Sequence, residues 1–104
     1  MFLAFLNIQA GHFFRNSNMQ ILRMPAVKGR AGHRSDASIY NAIRDGLFTT
    51  GVAIGQRAKG WPDYEVDAII TARIAGKSDD EIRALVKTLH ARRADLRSAV
   101  PYEL

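Results

Sequence analysis

The sequence predicts a mainly α-helical fold that carries one small β-hairpin. Three observations predict it: apolar residues recur at helical spacing in several stretches, proline or a capping residue precedes most of these stretches, and one central stretch is rich in Thr, Val and Gly. A chain of 104 residues is within the usual size of one domain. Its 47% hydrophobic and 24% charged residues are ordinary for a soluble globular protein, which excludes disorder for most of the chain.

Residues 1–20 are predicted to be an apolar arm or a leader. Polar residues and a glycine interrupt the apolar run at residues 1–14, and no basic residue precedes it, so it is a poor signal peptide. The run is also shorter than the roughly 20 apolar residues of a membrane-spanning helix, so no membrane contact is expected. An arm would pack on the domain or on a neighbouring molecule. A leader would belong to an overlong reading frame, with translation starting at Met19.

Two short helices joined by a turn are predicted next. Pro25 suits the first turn of a short first helix, and Gly29, Gly32 and a segment of turn residues follow its small apolar residues. Ser35 or Asp36 caps the second helix. This helix is expected to end just before Gly46, because the residue after a helix often adopts the left-handed conformation that glycine favours.

The second helix is predicted to have a small, polar outer face. Ile39 and Ile43 lie four residues apart and define its apolar side. The residues that fall toward the opposite side are Ala37, Ser38, Asn41 and Arg44. Such a face lets a helix approach a DNA groove closely, whereas a solvated face usually carries several Glu and Lys. Arg44 is expected to bind DNA, although Asp45 is an alternative partner, and Tyr40 either buries its ring or contacts a phosphate.

A β-hairpin is predicted over residues 47–61. Thr and Val are followed by glycines that frame a short apolar run, and Trp61 closes the segment. The tip carries Arg57 and Lys59 and no acidic residue, which suits a contact with phosphates. Exposed hairpins also carry such charges for solubility alone, so the tip by itself leaves both interpretations open.

Two further helices complete the prediction. Pro62 and nearby acidic residues start the third helix, which ends at Gly76. Ser78 and Glu81 form a capping box at the start of the last helix, so the acidic residues there are assigned to capping and not to a metal. The apolar stripe of this helix consists of Ile82, Leu85, Val86, Leu89 and Leu96. Residues 76–104 are therefore predicted to pack on the core or to form a homodimer seam.

The net charge of +5 is concentrated in one part of the chain. Residues 23–59 contain seven basic and two acidic residues, whereas residues 60–104 contain seven basic and eight acidic ones. The first segment thus has a charge of +5 and the second a charge of −1. A concentrated positive field predicts a polyanionic partner, while the balanced C-terminal part needs none.

No catalytic, metal or cofactor site is predicted. The chain has no cysteine, which excludes disulfides and thiolate ligands and fits the reducing cytoplasm. His12, His33 and His90 stand too far apart in sequence to form a metal-binding motif. The sequence has no nucleophile with a base, no paired catalytic carboxylates and no phosphate-cradling glycine loop, so an enzyme is not expected.

The order of elements is that of a winged helix-turn-helix followed by a C-terminal helix, in which the second helix enters the major groove and the hairpin, or wing, follows the adjacent backbone. Several short segments share their order and spacing with a known family: LRMPAV at 22–27, AG at 31–32, SIY at 38–40, RDGLF at 44–48, IGQRAKGW at 54–61 and EV at 65–66. From Ile21 to about Ile74 the sequence therefore resembles the AlpA family of prophage regulators, which are related to the MerR-like excisionase domains.

The resemblance implies a winged helix-turn-helix over residues 21–75 that acts on double-stranded DNA. It implies a transcriptional regulator of prophage or mobile-element genes, or a recombination directionality factor (excisionase) that bends attachment-site DNA and contacts an integrase. By the matching positions, Ser38 and Tyr40 lie in the recognition-helix motif, Arg57 lies in the wing motif, and Trp61 is the buried anchor that closes the hairpin. The full set of candidate DNA-binding residues is Arg34, Ser35, Ser38, Tyr40, Asn41, Arg44, Arg57 and Lys59. A protein-interaction module that docks through its last helix is the alternative from another class.

Overall fold

Seven elements of secondary structure follow one another within residues 19–100, the part of the chain that the structure, a computed structural model, describes. They are β1 (Ile21–Leu22), α1 (Met24–Ala31), α2 (Asp36–Arg44), β2 (Val52–Gly55), β3 (Ala58–Pro62), α3 (Asp63–Ile74) and α4 (Asp79–Ala99). The described part is mainly helical with a small antiparallel sheet, which confirms the predicted fold class and is compatible with a winged helix-turn-helix plus a C-terminal helix. The predictions for residues 1–18 and 101–104 lie outside the described residues.

The first two helices begin where the sequence predicts, and α1 continues beyond its predicted end, through Gly29 to Ala31. Pro25 occupies the first turn of α1, and Gly32 ends that helix with a φ of 75°, a left-handed conformation that glycine adopts without steric cost. Ser35 caps α2, because its hydroxyl oxygen accepts a hydrogen bond of 3.1 Å from the backbone N–H of Ser38. After α2, Gly46 has a φ of 78°, as the sequence indicates.

The predicted hairpin is part of a three-stranded sheet with the order β1-β3-β2 within the described residues. β2 and β3 form the hairpin, and β1 pairs with the other edge of β3, with Leu22 opposite Trp61. β1 is not predictable from the sequence, because a strand of two residues is too short to show an alternating pattern. Through β1, the chain just before α1 is tied to the hairpin.

One buried cluster joins the helices to the sheet. Its central side chains, all at most 2% exposed, are Val27, Ile39, Phe48, Trp61, Val66 and Ile82. Trp61 is the buried anchor that the sequence predicts, and its indole N–H donates a hydrogen bond of 2.8 Å to the carbonyl of Thr49. This buried hydrogen bond ties β3 to the segment that leads into β2, and it thus fixes the base of the hairpin.

The apolar stripe of α4 lies against this core. Ile82, Val86 and Leu89 are buried, so packing within the chain accounts for the centre of the stripe. At the end of α3, Ile74 continues the helical spacing of apolar residues but is 82% exposed. Ile74 is the last residue of its helix, so periodicity alone overstates how far the core extends along α3.

The described residues contain neither a membrane-spanning helix nor a group of side chains that could bind a metal ion. None of the helices within residues 19–100 is long and apolar enough to cross a membrane. Among the same residues, no group of three His, Asp or Glu side chains is close enough to hold a metal ion.

Candidate nucleic-acid interface

A cleft of about 380 Å³ lies between the hairpin and the first two helices. Four of its lining residues carry charge or a hydroxyl group: Arg23, Tyr40, Arg57 and Lys59. We call the cavity lined by these four residues the basic cleft. All four side chains are exposed, so a ligand in the cleft can reach them. The apolar part of the lining includes Met24, Pro25 and Trp61.

Four different parts of the chain meet in the basic cleft. Arg23 precedes α1, Tyr40 lies on α2, Arg57 lies in the hairpin turn and Lys59 lies on β3. Arg23 reaches the hairpin because β1, directly before it, pairs with β3. The cleft therefore depends on the pairing of β1, and not only on the hairpin itself.

The outer face of α2 continues from the cleft along the helix. Tyr40 is 50% exposed, which excludes the predicted alternative of a buried ring, and Asn41 and Arg44 are also exposed. The Arg44 guanidinium donates to a carboxylate oxygen of Asp45 at 3.1 Å and to the side-chain oxygen of Asn41 at 3.3 Å. Exposed pairs of this kind are worth at most about 1 kcal/mol, so a phosphate or a base edge can replace them.

The two candidate serines form hydrogen bonds that join the turn between α1 and α2 to the first turn of α2. The Ser35 hydroxyl oxygen caps α2, and the hydroxyl of half-buried Ser38 lies 2.6 Å from Nδ1 of His33. The ring of His33 in turn packs edge-on against Phe48, with centroids 6.4 Å apart. Both serines thus hold the start of α2 in place. Arg34 is exposed in the same turn and is not part of the cleft lining.

The positive charges of the basic cleft have no carboxylate partner within residues 19–100. In the segment 23–59, three of the seven basic residues form ion pairs, as Lys28 with Asp36, Arg30 with Asp67, and Arg44 with Asp45. The other four have no ion pair among the described residues, and these are Arg23, Arg34, Arg57 and Lys59. Three of these four residues line the cleft. The uncompensated positive charge of this segment is therefore gathered mostly in one place.

Arg57 has an uncommon backbone conformation at the hairpin tip. Its φ of 59° makes it the one non-glycine residue with a positive φ in the described part of the chain. This conformation costs a non-glycine residue roughly 1–2 kcal/mol. The turn thus holds an arginine where a glycine would fit more easily, which indicates that the Arg57 side chain has a function at this position.

Arg23 is a residue of the basic cleft that is absent from the candidates predicted from the sequence. It counted toward the basic segment, but it stands 34 residues before Arg57 and belongs to no charged cluster in the sequence. Only the pairing of β1 with β3 brings it to the cleft. Its position in the LRMPAV segment, next to the start of a helix, was the available signal.

The fold and its basic cleft define a class of protein: a small, mainly helical domain with a hairpin, of the layout that winged helix-turn-helix regulators have. Residues 20–74, just over half of the chain, match the family model described as "Prophage CP4-57 regulatory protein (AlpA)". The chain therefore belongs to the AlpA family of prophage regulatory proteins, which confirms the resemblance. No curated protein and no solved structure matches it. The match covers β1 to α3 and ends before α4.

Proposed function

We propose that this protein binds double-stranded DNA sequence-specifically and regulates transcription of prophage or mobile-element genes in the cytoplasm. The observation that supports this most is the basic cleft, where Arg23, Arg57 and Lys59 have no carboxylate partner among the described residues. Cations arranged along a groove attract phosphates and release the counterions condensed on DNA. The proposal includes no catalytic step.

The proposed contacts divide into two kinds. Asn41 and Arg44 on the outer face of α2 would read base edges in the major groove, because an amide and a guanidinium can each make two hydrogen bonds to one base. Arg57 and Lys59 would contact phosphates beside that groove, as would Tyr40 in the cleft.

The start of α2 would contribute further phosphate contacts. Arg34 and Ser35 flank the first turn of this helix, whose free backbone N–H groups favour an anion. Ser38, held by His33, would lie at the edge of the same surface and orient the helix in the groove.

The test is a titration against labelled DNA from the upstream region of the gene and from the nearby attachment site, with unrelated DNA as control. We expect Arg44→Ala to cost about 1–3 kcal/mol on the native fragment only, because it removes a base contact. Arg57→Ala should weaken binding to every fragment and reduce the salt slope by about 1, because it removes a phosphate contact.

Arg97→Ala is the matched control for Arg57→Ala. Arg97 is exposed on α4 and forms no ion pair with a described residue, so its replacement removes the same charge away from the cleft. The proposal fails if the wild-type protein binds no DNA at low salt. It also fails if Arg57→Ala and Arg97→Ala weaken binding equally.

The excisionase role would use the same surface in a different way. Such a protein would bend attachment-site DNA, contact an integrase and load on phased sites, with neighbouring copies meeting, for example, through α4. A circular-permutation gel shift separates the two roles, because strong bending and cooperative loading on repeated sites favour the excisionase. Independent binding to a single promoter site without strong bending favours the transcriptional regulator.

A further inference from the structure

Helix α4 contacts both ends of the segment that links α2 to the hairpin. At the first end, the Arg83 guanidinium donates a hydrogen bond of 2.9 Å to the carbonyl of Asp45, the residue after α2. At the second end, Arg93 and His90 hold Thr50, which stands two residues before β2. The link between the proposed recognition helix and the wing is thus braced from outside the family-matched region.

Both backbone polar groups of Thr50 are bound by α4. Its N–H donates to Nε2 of His90 at 3.1 Å, and its carbonyl accepts a hydrogen bond of 2.8 Å from Arg93. The Thr50 hydroxyl lies 3.3 Å from Arg93 and 3.5 Å from His90. Thr50 can therefore move with the wing only if it breaks its hydrogen bonds to α4.

Arg93 is itself fixed by a buried carboxylate. Glu65 of α3 is fully buried, and its two oxygens accept hydrogen bonds of 2.8 and 2.6 Å from the Arg93 guanidinium. A buried carboxylate strongly resists losing its cation, so this pair locks α3 to α4. Since Trp61 also binds the carbonyl of Thr49, the base of the hairpin is held from two sides.

We propose that α4 positions the wing for DNA by holding Thr50, and that protonation of His90 releases this hold. The proposal rests on the proposed DNA-binding function. Nε2 of His90 can accept the Thr50 N–H only while that nitrogen carries no proton. A proton on Nε2 would place the His90 N–H against the Thr50 N–H, so that two donors face each other. It would also place a second positive charge beside Arg93.

The charged groups that face His90 have opposing effects. Arg93 on the same helix disfavours a second positive charge, while Glu65 on α3 favours it, and the segment of Thr50 contributes only uncharged groups. Burial has the largest effect, and together with Arg93 it lowers the pKa of His90 below its ordinary value. The neutral ring therefore persists in the folded protein, and the hold on Thr50 is lost as the pH falls through this lowered pKa.

The sign of the pH effect separates this mechanism from simple charge. Lower pH adds positive charge to histidines, which by itself strengthens attraction to DNA. Release of the wing base acts in the opposite direction. A loss of affinity on acidification is therefore opposite to the effect of added charge, and it is the result that release of the wing base predicts.

The experiment compares wild type with His90→Gln, because the glutamine side-chain oxygen can accept the Thr50 N–H at any pH. Affinity for one native duplex is measured at fixed salt, at about pH 7.5 and at about pH 4.5, well below the ordinary histidine pKa, because the pKa of His90 is itself lowered. We expect wild type to lose about two- to tenfold in affinity at the lower pH, and His90→Gln to lose none. In parallel, the amide resonance of Thr50 is followed by NMR without DNA, and it should titrate in wild type only.

Each outcome decides the inference. A Thr50 amide that does not titrate overturns the hold by His90. A titrating amide with an affinity that stays constant or rises on acidification overturns the positioning of the wing but leaves DNA binding intact. Absence of wild-type binding to any duplex at both pH values overturns the proposed function, and the positioning inference with it.

Discussion

Gly29 and Gly32, three residues apart in the sequence, have opposite conformational requirements. Gly29 lies inside α1 with open space around the position of a Cβ atom, whereas Gly32 has a φ of 75°. We expect Gly29→Ala to raise the free energy of unfolding by about 0.5–1 kcal/mol, because alanine loses less backbone entropy in a helix. Gly32→Ala should lower it by about 1–2 kcal/mol, because of the left-handed backbone. Urea unfolding of both variants checks this, and shifts of the same sign would contradict it.

The ion pair of Arg93 with Glu65 is the interaction whose loss should cost most. Arg93→Ala is expected to lower the free energy of unfolding by about 3–5 kcal/mol, because the fully buried Glu65 carboxylate loses its cation. Adding Glu65→Gln should recover part of this loss, since a neutral amide costs less to bury. Arg97→Ala serves as the control and should change stability by at most about 0.5 kcal/mol. A double variant less stable than Arg93→Ala in thermal unfolding would rule out this account.

At the scale of elements, the sequence predicts helices better than it predicts strand pairs. The start of α2 and the capping box of α4 follow from local residue types, because a cap is formed within one helical turn. β1 and the place of Arg23 in the cleft depend on pairing with β3, about 40 residues later in the chain, which no local pattern encodes. In the sequence, Glu65 fits the acidic first turn of a helix and the EV segment, and nothing local reveals that it is buried and paired with Arg93.

The capping box of α4 gives a prediction at the same scale. The Ser78 hydroxyl accepts the Glu81 N–H at 3.2 Å, and the Glu81 carboxylate accepts the Ser78 N–H at 2.8 Å. Ser78→Ala should lower the free energy of unfolding by about 1 kcal/mol. The backbone N–H of Ser78 and, to a smaller extent, its hydroxyl hold the pKa of Glu81 below its ordinary value. Since alanine keeps the backbone N–H and removes only the hydroxyl, this pKa should rise part of the way toward its ordinary value in the variant. An NMR titration measures this shift.

Ser98→Ala is the matched control for Ser78→Ala. Ser98 lies near the other end of α4, where its hydroxyl donates only a long bond of 3.5 Å to the carbonyl of Ala94. We expect this change to leave both the Glu81 pKa and the stability of the protein nearly unaltered. Equal losses of stability in the two serine variants would mean that the capping box does not hold the start of α4.

At the scale of the whole molecule, the fold separates two groups of charges. The ion pairs of α3 and α4, such as Arg73 with Asp79 and Arg83 with Asp80, neutralise the C-terminal half. The cations of the basic cleft come from distant points of the chain and meet no carboxylate among the described residues. Net charge alone would predict a general attraction to polyanions, whereas this separation predicts attraction at one surface.

Arg23→Ala and Lys87→Ala distinguish these two predictions, because each removes one positive charge. Arg23 lines the basic cleft, while Lys87 is exposed on α4 and has no ion pair with a described residue. If the cleft holds phosphates, Arg23→Ala should reduce the slope of log affinity against log salt by about 1, and Lys87→Ala should leave it unchanged. Filter binding to an unrelated duplex over a range of salt concentrations measures both slopes. Equal slopes in the two variants would show that net charge, and not the cleft that β1 assembles, governs the attraction to DNA.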